Sequence, residues 1–397
     1  MPRTHWAAFS GTAAVAALAL VLAGCSAGTP TVDPTSPEAV GVTYMDTATG
    51  ECAAPPAEGV DYDGAVAYLD AIAAPVTGLL TDKKLPDPIS PDTLVIYLDN
   101  ATAYSALLSQ FISEAVTAAG GTYQAVNTGL DAESINAAMN SVVTLDPDII
   151  ITFGTDLTFW QDQYQALVDG GTAIVYAGNG NATDFGLNQT FGTTEASEVN
   201  GAVLAAGAIV YTCGTAKNFV YYPAPEIVAS VDMLSSYESF INEHVPGATV
   251  RSVDISIADS DPAGKIVSDL QAHPETEFCS PTADQFQIGL HDKAQLAGIT
   301  NDKCFGGISL PANFAQIVDG TQPAGFAYDT AIQSWQAVDE GLRKLQGVFE
   351  DYDIFELTHL VAGIITLQNI DRVDVATGVY SALPDYQDLY LTLWNAK

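Results

Sequence analysis

The residues best suited to chemistry gather in one stretch, Asp146 to Asn179, which reads DPDIIITFGTDLTFWQDQYQALVDGGTAIVYAGN. Thr155 and Asp156 follow an apolar run there, and Trp160 comes shortly after. A carboxylate and a hydroxyl can hydrogen-bond to ligand hydroxyls, and an indole face can stack on an apolar ring or hold a cation. Covalent chemistry has no comparable set of residues. The five His stand at 5, 244, 273, 291 and 359, with no H-E-x-x-H, no G-x-S-x-G and no metal-ligand spacing. Paired carboxylates carry little weight in a chain with 48 Asp plus Glu. The sequence predicts a binding site that uses no metal and no cofactor. A glycoside hydrolase, which also needs aromatics and two carboxylates, is the remote alternative.

A strand, a tight turn, a helix and a second strand must position these residues. Ile149, Ile150 and Ile151 form a continuous apolar run, the pattern of a strand covered on both faces, and Gly154, Thr155 and Asp156 end it with turn chemistry. Trp160, Tyr164, Leu167 and Val168 recur at helical spacing from a start near Leu157; Gly170-Gly171 closes the helix, and Ala173 to Tyr176 is a second buried strand. Such a βαβ unit implies a parallel sheet. Ligands of open parallel sheets sit beyond the carboxyl ends of the strands, here at Thr155, Asp156 and Trp160.

The same alternation extends in both directions. Upstream come a strand at Thr93 to Leu98, a helix at Ala103 to Ala119, a strand at Tyr123 to Val126, and a helix at Asp131 to Leu145 with Asp131 as its N-cap. Downstream, helices at Glu195 to Tyr211, Val231 to Val245, Pro262 to Leu270 and Gln287 to Leu296 alternate with strands. Those strands lie at Phe219 to Tyr222, Thr249 to Ile257, Glu277 to Ser280, Cys304 to Leu310 and Gly325 to Tyr328. A long amphipathic helix, Thr330 to Gln346, follows. The fold class is α/β, with two doubly wound parallel-sheet lobes. Before them, a helix at Asp63 to Ala74 and a Pro-rich linker at Leu85 to Pro91 lead into the first core strand.

Twelve Lys plus Arg against 48 Asp plus Glu give a formal charge of -36, the wrong sign for a nucleic-acid partner and suited to a soluble exported protein. Residues 1–24 read as a signal peptide: Arg3 and His5 precede an apolar stretch that ends in Leu22-Ala23-Gly24-Cys25. This ending resembles a bacterial lipoprotein signal, which implies lipidation of Cys25, an anchor in the cell membrane, and an otherwise soluble extracytoplasmic protein. Residues 25–60 read as a flexible tether. The remaining Cys are even in number, as two disulfides require. Four Cys allow three connectivities; the expected one pairs Cys279 with Cys304, at or near the starts of consecutive strands, and so Cys52 with Cys213.

Two consecutive doubly wound lobes behind such a signal resemble the type I periplasmic binding proteins, specifically the sugar-type substrate-binding lipoproteins of ABC importers. The segments that carry the resemblance are PDIIITFGTD, TEFCSPTADQFQIG, QPAGFAYD and the tail from ITLQNIDRV to Tyr386 and Trp394. It implies three crossings between lobes, near Thr193, near Asp329 and near Leu360 to Asn369. Residues 61–193 then make lobe 1 with an N-terminal extension, 194–329 lobe 2, 330–360 a return to lobe 1, and 361–397 a tail that crosses the hinge and touches lobe 2. A monomer delivering its ligand to a membrane permease is the implied partnership.

Family position and strand-end logic nominate the same ligand contacts: Asn100, Tyr104, Asp156, Trp160 and Asn179 in lobe 1, and Tyr222, Asp284, Phe286 and Asp329 in lobe 2. Asn100, Asn179 and Asp284 equally suit helix caps or turns, and Trp160 and Tyr222 equally suit core packing. The chain departs from the sugar-binding pattern in carrying Ala283 before Asp284 and Asp329 at the last crossing. It also has no Lys or Arg between Lys84 and Lys217, so lobe 1 offers no cation to clamp an anion. The ligand is expected to be neutral or cationic, a sugar first. The alternative is a sensor lipoprotein for an amine or nucleoside-like molecule.

Overall fold

The computed structural model describes residues 41–396 apart from 130, 156, 178–184, 188–192 and 228. Helix α1 (Tyr62–Ala73) starts on Asp61, whose side chain accepts from the Gly64 backbone N–H. The first sheet follows: β1 (Leu94–Asp99), α2 (Ala103–Ala119), β2 (Thr122–Asn127), α3 (Ala132–Leu145), β3 (Ile149–Phe153), α4 (Gln161–Gly170) and β4 (Ala173–Ala177). Its strands are parallel in the order β2-β1-β3-β4. Period-two alternation divides the strand side chains between two cores. Val95, Tyr97, Ile149, Ile151 and Val175 pack with Leu108, Ile112, Val116, Trp335 and Val338. Ile96, Leu98, Ile150, Ile174 and Tyr176 pack with Ile135, Met139, Val142, Leu157 and Trp160. Asp131 caps α3 as expected, accepting from the Glu133 and Ser134 N–H groups, and Gly171 closes α4 in the left-handed conformation.

The second lobe repeats the plan. Helix α5 (Thr194–Tyr211), β5 (Asn218–Tyr222), α6 (Ala229–His244), β6 (Thr249–Ser252), α7 (Pro262–Ala272) and β7 (Phe278–Pro281) give a parallel sheet ordered β6-β5-β7. Beyond β7 come α8 (Leu290–Leu296), α9 (Pro311–Val318), β8 (Gly325–Tyr328), α10 (Thr330–Leu345), α11 (Ile354–Val361), β9 (Ala362–Ile365), β10 (Val373–Asp374), β11 (Val379–Tyr380) and α12 (Tyr386–Leu393). The antiparallel ribbon β8-β9 joins the lobes. Ala327 and Ile365 lie in the first lobe's core, whereas Phe326, Ala362 and Ile364 lie in the second's. Both expected disulfides are present, Cys52–Cys213 and Cys279–Cys304, with Cα separations of 5.7 and 4.5 Å.

Several boundaries differ from the sequence expectations. The expected strand Cys304 to Leu310 reduces to one bridge at Cys304 beside Cys279, because Gly306 and Gly307 lie against Asp284, Pro281 and Thr282 and Pro311 then starts α9. The helix placed at Gln287 starts only at Leu290, since Gly289 takes a φ of 75°. The strand placed at Thr249 to Ile257 ends at Ser252. Residues 43–60, read as tether, are fastened to the second lobe, and α1 packs on α5 rather than on the first lobe. The tail meets the second lobe through β9 and through residues 367–380, which lie against α9, where Phe314 and Ile317 share a core with Val373 and Tyr380. Its helix α12 packs on the first lobe, where Trp394 stacks on Trp335 with centroids 5.3 Å apart and donates to Asp339 Oδ1 at 2.8 Å. Among the described residues, no helix is long and apolar enough to cross a membrane. Residues 1–24 and Cys25 lie outside the described residues.

Candidate functional site

In both sheets the chain steps from the first strand to one neighbour and then across to the other side. The strand order therefore reverses between β1 and β3, and again between β5 and β7, and the crevice beyond those carboxyl ends is where such sheets bind ligands. At the end of β1, Asp99 Oδ1 accepts from Ser105 Oγ at 2.8 Å and from the Ala101 N–H at 2.7 Å. Asn100 is half-buried, and its Oδ1 accepts from Thr102 N and Oγ1, so it shapes the turn into α2.

Tyr104, in the first turn of α2, is 43% exposed and donates to Gln333 Oε1 at 2.6 Å. Its hydroxyl is nonetheless pushed well above the usual phenol range, first by the protein around it and then by the phenols of Tyr328 and Tyr97. After β3, Thr155 is 3% exposed and its Oγ1 has no hydrogen-bond partner among the described residues.

The ribbon and the second lobe supply the other wall. Tyr328, ending β8, accepts from Asn200 Nδ2 of α5 at 2.8 Å, while the buried Asn200 Oδ1 has no partner. Asp329 caps α10: Oδ1 accepts from the Ile332 N–H at 2.9 Å and Oδ2 from the Ala382 N–H at 2.8 Å, and burial pushes its carboxyl up to about 6. Asp284 is wholly buried. It accepts from Gln287 Nε2, Ser309 Oγ, Gln322 Nε2 and the Gly306 backbone, yet burial without a cationic partner outweighs those bonds and pushes it up to about 7. Tyr222 is also enclosed and donates to Asp269 Oδ2 at 2.8 Å, with Arg251 paired to the same carboxylate. Phe286 is in the core with Leu290 and Val220.

Of the nine nominated residues, the structure brings Asn100 and Tyr104 to the crevice. Asp156 and Asn179 lie outside the described residues. Trp160, Tyr222, Asp284, Phe286 and Asp329 are each at most 1% exposed, so they offer no surface to a ligand in this structure; the first four hold cores or buried networks and the last caps a helix. Three residues that the sequence reading passed over, Asn200, Tyr328 and Gln333, stand with Tyr104. Gln333 sits one helical turn after Asp329, a spacing that could have flagged it; nothing in sequence distinguishes Asn200. No group of three or more His, Cys, Asp or Glu is arranged to hold a metal among the described residues. A cavity of about 880 Å³ does occur, but it lies far from the strand ends, between residues 77–84 and Arg343, Tyr352 and Leu393.

The fold is that of the type I periplasmic binding proteins. It is similar to the solute-binding protein of the 5-methylthioribose transporter of Thermotoga lettingae TMO at 12% identity, covering 79% of this chain and 100% of that one, with a TM-score of 0.59. It is likewise similar to the periplasmic ribose ABC transporter protein of Conexibacter woesei DSM 14684 at 14% identity, 72% and 96% coverage and a TM-score of 0.58. A LacI transcriptional regulator of Bacteroides fragilis shares the fold at 14% identity, 71% and 99% coverage and a TM-score of 0.55. No family model and no curated relative matches the chain.

Proposed function

We propose that this chain is an extracytoplasmic solute-binding protein, anchored by lipid at Cys25, that captures a small neutral polar ligand between its lobes and delivers it to an ABC importer. It is a binding protein, and a sugar is the first choice of ligand. The observation that carries this reading is the buried Asn200 Oδ1 of α5, left without a hydrogen-bond partner among the described residues while its amide meets the Tyr328 hydroxyl at the end of β8; Thr155 Oγ1, just beyond β3, is likewise unpartnered among them. A buried polar atom without a partner costs about 1–3 kcal/mol, which ligand hydroxyls would recover as the lobes close on them. The ligands named for similar folds, 5-methylthioribose and D-allose among them, are of this chemical kind. Absence of any Lys or Arg between Lys84 and Lys217 argues against an anion.

Thermal-shift measurements on the chain from Ser26 onward test the proposal with panels of neutral sugars, polyols, amines, nucleosides and sugar phosphates. A neutral sugar at a hundredfold excess over its Kd should stabilise the protein by about 2.7 kcal/mol. Stabilisation by sugar phosphates alone would overturn the charge argument, and turnover of a glycoside would overturn the binding reading. The second reading, a sensor of an amine or nucleoside-like molecule, is favoured by the neighbouring phenols of Tyr104 and Tyr328, whose ring faces can hold a cation. Larger shifts with amines than with matched neutral sugars would select it.

A further inference from the structure

The N-terminal extension is fixed to one lobe at one end and to the other lobe at the other. On the second lobe, Cys52 is bonded to Cys213, the Met45 N–H donates to Tyr211 O at 2.9 Å, and the Asp61 N–H donates to His244 O at 2.8 Å. Ala65, Leu69 and Ile72 of α1 are buried against α5. On the first lobe, the Leu85 N–H donates to Leu393 O at 2.8 Å, and Arg343 Nη2 donates to Lys83 O at 2.9 Å. Asp87 exchanges two bonds with the Gln346 amide at 3.2 and 2.9 Å.

Between these anchorages, residues 74–82 run from lobe to lobe outside the β8-β9 ribbon. Val76, Leu79 and Leu80 of this segment already pack against the first lobe's core, and residues 77–84 border a cavity of about 880 Å³ opposite Arg343, Tyr352 and Leu393. Where the segment begins, α1 lies along α11. The Tyr68 ring stands 5.2 Å from Phe240 of α6 and 5.9 Å from Phe355 of α11, and His359 Nε2 of α11 meets Ala74 O at 2.8 Å.

Any rotation that opens the cleft moves α1, held by the second lobe, against residues 83–89, held by the first. A run of nine residues spans at most about 30 Å, so its length limits that separation, and it can extend toward that limit only by lifting Val76, Leu79 and Leu80 off the first lobe's core. The similar solved structures are matched along 96–100% of their own lengths by at most 79% of this chain, so at least a fifth of this chain has no counterpart in them.

We propose that the N-terminal extension is a fourth connection between the lobes, a strap that restrains how far they swing apart, with the Tyr68–Phe355 and Ala74–His359 contacts as its latch. This rests on the hinged binding-protein reading, and it adds to the three crossings of that fold a restraint that sets the open state.

The test cuts the strap after the protein has folded. A protease recognition sequence is inserted between Gly78 and Leu79, and spin labels are placed through Gln165→Cys on the first lobe and Asp292→Cys on the second. The four native Cys of the described chain are paired and do not react, and Cys52–Cys213 keeps the cut segment attached. Pulsed electron–electron distance measurements before and after cleavage are expected to show a longer-distance population only in the cut protein. The uncut double variant Phe355→Ala/His359→Ala should show a smaller broadening, and it decides the matter if the cut chain loses its circular dichroism. Identical distributions in all forms would overturn the strap. The sugar thermal shift on uncut protein is independent of this outcome: a protein that answers to sugars yet shows no change on cleavage keeps the binding function and loses the strap.

Discussion

The Asn200 side-chain amide donates to the Tyr328 hydroxyl at 2.8 Å, tying a helix of the second lobe to the strand that joins the lobes. Asn200 uses one end of its amide here, and its Oδ1 stays open. The pair therefore links the junction to the crevice. Tyr328→Phe removes the acceptor and frees the amide. With the sugar that gives the largest thermal shift, titration calorimetry should show affinity falling roughly five- to thirtyfold, the equivalent of about 1–2 kcal/mol for one lost hydrogen bond. Tyr104→Phe, which loses the bond to Gln333, should fall in the same range. Unchanged affinity in both variants would move the site away from this cluster.

Asp284 should make stability fall as pH rises. Its carboxyl has an ordinary value of 3.8 and a folded value of about 7, so between the two the folded state keeps a proton that the unfolded state has lost. The favourable contribution is complete below about pH 4 and disappears as pH climbs to about 7. Asp329 acts in the same direction up to about 6. Thermal melts of Asp284→Asn from pH 4 to 8 should show a flatter pH dependence than the parent. A parent chain whose Tm rises across this window would contradict the assignment.

The two disulfides should fail differently. Cys279–Cys304 closes a loop of 25 residues within the second lobe's core, and Cys279→Ala/Cys304→Ala should cost about 3 kcal/mol of global stability in denaturant titrations. Cys52–Cys213 spans 161 residues, but its first partner lies in the extension, so its loss should act locally. Hydrogen exchange in Cys52→Ala/Cys213→Ala should speed up over residues 43–60 while core strands such as β1 keep their protection.

Gly201 lets α5 approach α6 closely. A Cβ there would overlap the Met233 carbonyl, which is backbone and cannot swing aside. Gly201→Ala should lower stability by about 1–3 kcal/mol as the helices move apart. A Tm equal to the parent's would show that the crossing can relax.

The alternation of strands and helices was legible because each lobe is built from short-range patterns. Ile149 to Ile151 announce a strand covered on both faces, and Gly171 ends a helix by its own conformational freedom, whatever surrounds it. The cysteine pairing was legible too, through the strand order that sets Cys304 beside Cys279. Site residues were less so. Trp160 and Tyr222 carry the chemistry of ligand contacts and also the bulk of core residues, and sequence spacing does not record which side of a strand end stays open.

What the sequence by itself determined is the α/β class, the two lobes, the acidic balance and the absence of Lys and Arg between Lys84 and Lys217, since composition and periodicity depend on neighbours along the chain. Tertiary structure alone decided that Asn200, Tyr328, Tyr104 and Gln333 meet, that Asp284 is enclosed among donors, and that the extension reads as a strap rather than a tether. These contacts join residues far apart along the chain: Tyr104 and Gln333 are 229 positions apart, and Ala74 and His359 are 285. No local pattern encodes such a meeting; it arises only when the two sheets and the ribbon between them have packed.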